Sequence, residues 1–399
     1  MNIIKTSPFI LICASGFFAL FSSTISKSPI LPLYSAYLGA NPSDVGLVAS
    51  VSAFTGIIAS IPAGILSDKI GRRKMLMFSL FIFASAPFLY LLVDNIIELA
   101  IVRFYHGFAT AIFVPIAMAV LSELYSKEKG EKLGWFSTST LAGRFLAPLL
   151  GGAIIGYFAS YPYAIGYNYK LVYLLCGVTG FCALLIFLAT KKLDNITEQK
   201  ETSWATRWIS FKKLISSNVI VLTSFVEAGI LFTYGAFETF LPLFCIEKGL
   251  NAYEIGFILS SQVITIALTK PIMGRFSDKH GRKPQITWGA MIGAICIGSI
   301  TFFNSFISLL LISILFGLTI STVTSATSAF ISDNSSKDDR GSAMGILGSI
   351  MDIGHTTGPI ITGFIIFGFG YKIAFISAGL ILFLLLIFFK IKVREVKQL

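Results

Sequence analysis

"GILSDKIGRRK" at residues 64–74 and "GRFSDKHGRKP" at residues 274–284 are one charged turn written twice, 210 residues apart. Each holds an aspartate, several basic residues and two glycines, in a chain that is 55% hydrophobic and only 13% charged. The same shift lays "LPLYSAYLGANPSDVG" (31–46) on "LPLFCIEKGLNAYEIG" (241–256) without a gap. Leu31, Pro32, Leu33, Gly39, Asn41, Gly46, Ser50, Thr55, Ser67, Asp68, Lys69, Gly71 and Arg72 all meet identical residues. One residue further out of step, "GRFLAPLLGG" (143–152) lies on "GHTTGPIITG" (354–363). Agreement in two separate segments indicates a duplication. The chain divides into two homologous halves, 1–190 and 218–399, joined by a linker at 191–217.

A mean hydropathy of +0.81 and 37 phenylalanines place the chain outside the soluble norm. A helix needs about 20 apolar residues to cross about 30 Å of hydrocarbon. Twelve stretches qualify, near 8–37, 43–68, 74–93, 96–124, 131–158, 171–190, 218–246, 253–278, 285–303, 306–332, 341–368 and 372–390, which leaves nothing for a soluble domain. The fold class expected is all-α and integral to the membrane, with six helices in each half. The net charge of +11 forms no single patch. Basic residues gather in the breaks after even-numbered spans, as Lys69–Lys74, Lys127–Lys132, Lys191–Lys213, Lys279–Lys283, Lys337 with Arg340, and a tail carrying Lys390, Lys392, Arg394 and Lys397. The opposite side has only Lys170, Lys248 and Lys372. Because positive loops stay inside, both termini are expected in the cytoplasm of a plasma-membrane protein, with the bilayer rather than nucleic acid as partner.

The five cysteines, Cys13, Cys176, Cys182, Cys245 and Cys296, lie within apolar runs, so they suit core packing better than disulfides or a metal. The N-terminal apolar run starts like a secretory signal but continues past Lys27 into "SPILPLY", which favours retention. In the linker, Trp204, Trp208, Phe211 and Leu214 alternate with basic residues, the pattern of a short amphipathic helix on the inner membrane surface. No nucleotide-binding loop, zinc spacing or Ser-His-Asp set appears, so neither an enzyme nor a cofactor is expected. A signalling receptor ranks low because linker and tails are short.

Twelve spans in two halves, a central linker and the twice-used turn G-x-x-x-D-K/R-x-G-R/K-R/K resemble the major facilitator superfamily of transporters, over essentially the whole chain. Gly64, Asp68, Lys69, Gly71, Arg72 and Arg73 fit that turn, as do Gly274, Asp278, Lys279, Gly281, Arg282 and Lys283. "RFYHGFATA", with Arg103 and Gly107, resembles the family's R-x-x-Q-G pattern, with His106 where glutamine is usual. "GRFLAPLLGG" resembles an antiporter pattern, G-x-x-x-G-P-x-x-G-G, except that Ala147 replaces a glycine. Span 11 carries "GHTTGP", with its next glycine, Gly363, one residue late. The resemblance implies a monomeric carrier that moves a small organic solute by alternating access. Its drug and metabolite branch implies proton-coupled efflux, with proton-coupled carriage of small organic anions as the alternative.

Elementary chemistry gives these residues roles. Gly71 and Gly281 suit the tight turn between antiparallel helices. Asp68, at a helix end, stands where a carboxylate can accept hydrogen bonds from the N-terminus of a neighbouring helix, and Asp278 holds the same place in the second copy. Arg72 is placed to reach Glu123 and Arg282 to reach Asp333, pairs expected to latch the cytoplasmic ends of the halves in one state and part in the other. Gly143, Pro148, Gly151 and Gly152, with Gly354, Gly358, Pro359 and Gly363, suit either a bend or close static packing.

Charge within hydrocarbon costs about 2.5–3.5 kcal/mol per residue and marks function or pairing. The candidates are Lys27, Arg103, Arg144, Glu227, Glu238, Lys270 and Asp352, with His106 and His355, and none falls inside spans 3, 6, 9 or 12. At about 1.5 Å per residue, Arg144, Glu227, Asp352 and His355 lie near mid-membrane. Glu227, Tyr234 and Glu238 share one helix face, within about 20°. Glu227 is the first choice for proton carrier, since a carboxyl withdrawn from water suits proton exchange. Asp352 is second, with His355 as its partner, balanced against a structural ion pair of Arg144 with Asp352 or Glu227, and Glu238 is third. Lys27, Arg144, Tyr234, Gln262, Lys270 and His355 are the substrate-cavity candidates. Arg103, His106 and the serines and threonines of span 10 read as packing and helix contacts.

Overall fold

A computed structural model of the chain describes residues 7–159, 166–190, 214–336 and 339–393. The expected amphipathic linker helix lies outside the described residues, apart from its last residue, Leu214. Those residues form twelve α-helices and no strand: α1 (Pro8–Ile25), α2 (Ile30–Tyr37), α3 (Pro42–Ile70), α4 (Arg72–Leu89), α5 (Ile96–Leu124), α6 (Lys129–Ala159), α7 (Tyr167–Leu188), α8 (Asn218–Glu247), α9 (Ala252–His280), α10 (Arg282–Ser299), α11 (Phe306–Asp333) and α12 (Arg340–Lys392). Eleven stretches are long and apolar enough to cross a membrane, α1 and α2 counting as one. With no water in hydrocarbon, helices meet their own backbone hydrogen bonds, which is why so apolar a chain takes this form.

The duplication is written into the backbone. Helices α3 and α9, α4 and α10, and the starts of α5 and α11 keep the offset of 210 residues, as do the 3-10 turns at Tyr90–Leu92 and Ile300–Phe302. Gly71 (φ 96°, ψ 137°) and Gly281 (φ 92°, ψ 145°) adopt the same left-handed turn, which favours glycine. Asn95 Oδ1 caps α5 by accepting from the Ile97 and Glu98 amides, and Ser305 caps α11 at the matching position through a reciprocal box with Ser308.

One expected span is interrupted within its length, and one expected break is reduced to a single residue. The first apolar run is interrupted between Ile25 and Ile30, with a cis Ser28–Pro29 bond, because Pro29 has no N–H with which to continue the ladder. Spans 11 and 12 are separated by one non-helical residue, Gly370 (φ 80°, ψ 170°), so α12 contains both.

The contacts divide the chain into two units. The first gathers the described residues of 1–40, 51–199 and 251–260, and the second those of 41–50, 200–250 and 261–399. The decapeptides 41–50 and 251–260 are homologous and lie in the units opposite to their own halves. The first unit's core gathers Phe83 of α4, Phe113 of α5, Phe136 of α6 and Phe187 of α7, with Leu20 of α1. In the second, α8 and α12 meet backbone to backbone: a Cβ on Gly354 would stand 2.1 Å from the Ala228 carbonyl oxygen. Lipid supplies no hydrophobic drive between helices, so such small-residue contacts carry the packing. Phe78 and Phe81 of α4, Phe181 of α7, Ile295 of α10 and Phe388 of α12 are exposed, an apolar exterior suited to hydrocarbon.

Candidate functional site

The charged turns are built from charge pairs within each unit. Arg72 Nη2 lies 2.5 Å from Glu123 Oε1, tying the start of α4 to the end of α5. At the homologous place Arg282 Nε lies 3.1 Å from Asp333 Oδ2, tying α10 to α11. Arg282 also reaches Asp278 at 2.5 Å and donates to Ser277 Oγ. One expectation changes. Each pair joins helices of one unit and therefore does not itself bridge the halves. Asp278, one turn before Gly281, meets the Arg282 guanidinium, a charged donor four residues on. The side chain of Asp68 lies outside what the structure describes. Lys69 and Lys279 are exposed and Arg73 half-buried, and Lys283 Nζ donates to the Lys390 carbonyl at 3.2 Å. Around Gly64 and Gly274 the space is open.

The intramembrane carboxylates cluster in the second unit. Glu227, nine residues into α8, is 3% exposed, and Thr327 of α11 hydrogen bonds its Oε2. Lys270 of α9 is exposed and within electrostatic reach of Glu227. Glu238, one turn beyond Tyr234 on the same helix, is also buried; its Oε2 lies 3.8 Å from His355 Nε2 of α12. Tyr234 stacks on that imidazole, with ring centroids 5.7 Å apart and planes at 16°. The predicted stripe is thus shared between neighbours: Glu227 meets α11, whereas Tyr234 and Glu238 meet His355. His355 pairs with Glu238 rather than with Asp352, whose half-buried carboxyl makes no hydrogen bond or ion pair among the described residues. Gln262, expected to line a cavity, is 1% exposed and packs on Gly317 of α11.

Thr327 is the residue that sequence reasoning passed over. It stands in "STVTSATSAF" (321–330), where hydroxyls recur through an apolar helix and each can bond the preceding turn. Thr327 Oγ1 is 2.9 Å from the Val323 carbonyl oxygen, within reach of its own helix as well as of Glu227.

In the first unit the polar groups are dispersed. Lys27 is half-buried at the break between α1 and α2, and Arg144 is exposed on α6. Arg103, 2% exposed, lies against Tyr90, whose hydroxyl is 3.3 Å from His106 Nδ1 and whose ring stacks on Tyr173 at 4.3 Å. This is a buried aromatic packing cluster. Gly107 admits Thr55 of α3. The glycine–proline sets are contact points: Gly143 meets the Phe17 carbonyl, Gly152 the Ala252 carbonyl, Gly358 the Phe232 carbonyl, and the Pro359 carbonyl meets Gly46. Helices α6 and α12 remain helical through Pro148 and Pro359.

The sequence model of the Major Facilitator Superfamily matches residues 12–261 and 247–398. Multidrug resistance protein 2 of Bacillus subtilis is 24% identical, over 93% of this chain and 92% of its own length. Multidrug resistance protein MdtG of Salmonella paratyphi C is 27% identical, over 89% and 88%. Among solved structures, a bacterial homologue of the human lysosomal transporter Spinster superposes with a TM-score of 0.79 at 15% identity, covering 98% of this chain and 96% of that one. The nucleoside transporter NupG superposes with a TM-score of 0.76 at 14% identity, covering 99% and 100%. The repeated six-helix frame, the charged turn in both copies and the family match lead to one conclusion: the chain belongs to the Major Facilitator Superfamily and is a multi-pass membrane transporter of small molecules.

Proposed function

We propose that this chain is a proton-coupled exporter of small organic compounds or drugs, working as a monomer in the plasma membrane with both termini in the cytoplasm. The observation that carries the proposal is the Glu227–Thr327 contact. One hydroxyl serves both protonation states of the carboxyl. When Glu227 is ionised, Thr327 donates its proton to it. When Glu227 is protonated, the acid donates to Thr327 Oγ1 and the hydroxyl proton turns to the Val323 carbonyl, 2.9 Å away. Neither state leaves Glu227 Oε2 or Thr327 Oγ1 unpaired, so the proton can be loaded and released without disrupting the packing of α8 on α11. The names of the relatives support a drug substrate. Tyr234, His355 and Glu238 supply an aromatic face and a carboxylate suited to an organic cation. Within each half, the charged turns fasten neighbouring helix ends, so that a half can rock as one body during alternating access.

Carriage of small organic anions is the second reading, favoured by the exposure of Arg144 and Lys270, which make no ion pair among the described residues. Purified protein in liposomes under an imposed pH gradient, offered ethidium or benzoate, distinguishes the two. Gradient-driven ethidium movement supports export of cations, and benzoate movement alone transfers the proposal to anions. Movement of neither under any gradient removes both.

A further inference from the structure

The second unit has a cavity that neither the turns nor the carboxylates use. About 340 Å³ in volume, it lies between the last turns of α9, the first turns of α10 and the middle of α11, with apolar walls including Phe276, Trp288, Ile292 and Leu315. Trp288 is 62% and Phe276 46% exposed, so the cavity belongs to the outer apolar surface of the helices. From Pro284 to Ile292 the wall rises eight residues, about 12 Å. That is most of one leaflet of a hydrocarbon core about 30 Å thick.

The cavity is preformed. Gln285 of α10 donates through Nε2 to the Met273 carbonyl of α9 at 2.9 Å and to the Thr322 carbonyl of α11 at 3.0 Å, so one side chain holds the three walls together. It is also a departure from the duplication. Gly289, Leu315, Leu318 and Thr322 occupy the places that hold Ser79, Tyr105, Phe108 and Ile112 in the first half. There Ile112, Tyr105 and Phe108 pack into the core, and Tyr105 bonds Ser85 at 2.9 Å. Smaller residues at the same frame positions leave the groove.

The end beside the charged turn is basic. His280 stacks on Phe276, with centroids 4.1 Å apart, and Arg275 and Lys279 are exposed one residue back on the same helix. A helix about 10 Å across is too wide for such a cavity, whereas one hydrocarbon chain is of the right form. Lipid tails are as apolar as the groove, so selectivity must come from the head group, and the basic end favours an anionic one. We propose that this groove seats one acyl chain of an anionic glycerophospholipid, with the phosphate at His280, Lys279 and Arg275.

Trp288 is the reporter. In full-length protein whose other tryptophans, Trp135, Trp204 and Trp208, are replaced by phenylalanine, quenching is compared in bilayers mixing brominated phosphatidylglycerol with plain phosphatidylcholine, and the converse. The expected result is at least threefold preference for phosphatidylglycerol at Trp288, falling to parity when Gly289→Ser and Thr322→Ile restore the first half's residues. Lys279→Gln with His280→Gln, both exposed, must reduce the preference even if the filled variant fails to fold. Equal quenching by the two lipids in the parent, or a preference unchanged in the Lys279→Gln, His280→Gln protein, overturns the proposal.

Discussion

The two halves share one frame and differ in what fills it. Where α8 carries Glu227, the position 210 residues earlier in α1 is Phe17; where α11 carries Thr327, α5 carries Ala117. Conversely, Arg103 and His106 of the first half face Tyr90 and Phe83, and their counterparts are Ser313 and Phe316. Gly71 and Arg72, which turn and tie the helices, recur as Gly281 and Arg282, while Glu227 and Glu238 stand only in the second half, opposite Phe17 and Ser28. Duplication thus supplies the architecture twice, and divergence has placed Glu227, Glu238 and Asp352 in the second copy.

The comparison can be broken most severely at the backbone contacts. Gly354→Ala puts a Cβ on the Ala228 carbonyl and is expected to cost at least about 1–3 kcal/mol of overpacking. Its apparent Tm in detergent should fall by several degrees, while Gly64→Ala, with open space around it, leaves Tm equal or slightly raised. A thermostability assay on purified protein reads both. If the two variants behave alike, the contact between α8 and α12 does not carry the packing assigned to it.

A smaller effect separates the two turns. Arg72 is 7% exposed and Arg282 20%, with Glu123 and Asp333 about one-third exposed. Arg72→Ala is expected to destabilise by about 2 kcal/mol, less than the loss of a fully buried pair. Arg282→Ala should cost about 0.5–1 kcal/mol, and less at high salt. Denaturation at two ionic strengths checks the order; a larger loss for Arg282 would mean that the number of partners outweighs burial.

The smallest stability effect is expected for Thr327→Val, which keeps the side-chain shape. Its consequence belongs to transport: pH-gradient-driven movement should fall severalfold, and Thr327→Ser should restore it. Equal transport by Thr327→Val and the parent removes the two-state role of the hydroxyl.

Much of the frame was legible in the sequence because a duplicated chain is its own alignment. The spans, the offset of 210 and the turns at Gly71 and Gly281 all follow from residues that must recur. The break at Gly370 was legible as well, whereas the interruption before Pro29 was hidden within a continuous apolar run. Helical spacing put Glu227, Tyr234 and Glu238 on one face but could not assign that face's neighbours, which depend on how α8 sits against α11 and α12. Thr327 was unreadable for the same reason: in a helix rich in hydroxyls, only packing selects the one that meets a carboxylate. Nor could spacing show that Gln262 is buried against a small residue of α11, Gly317.

The central claim is that proton exchange at Glu227 drives transport, and Glu227→Gln in proteoliposomes tests it most directly. The amide keeps the size of the acid and cannot titrate. The expected result is loss of pH-gradient-driven ethidium accumulation while equilibrium exchange of ethidium persists. Gradient-driven accumulation at the parent rate in the Glu227→Gln protein would contradict the account.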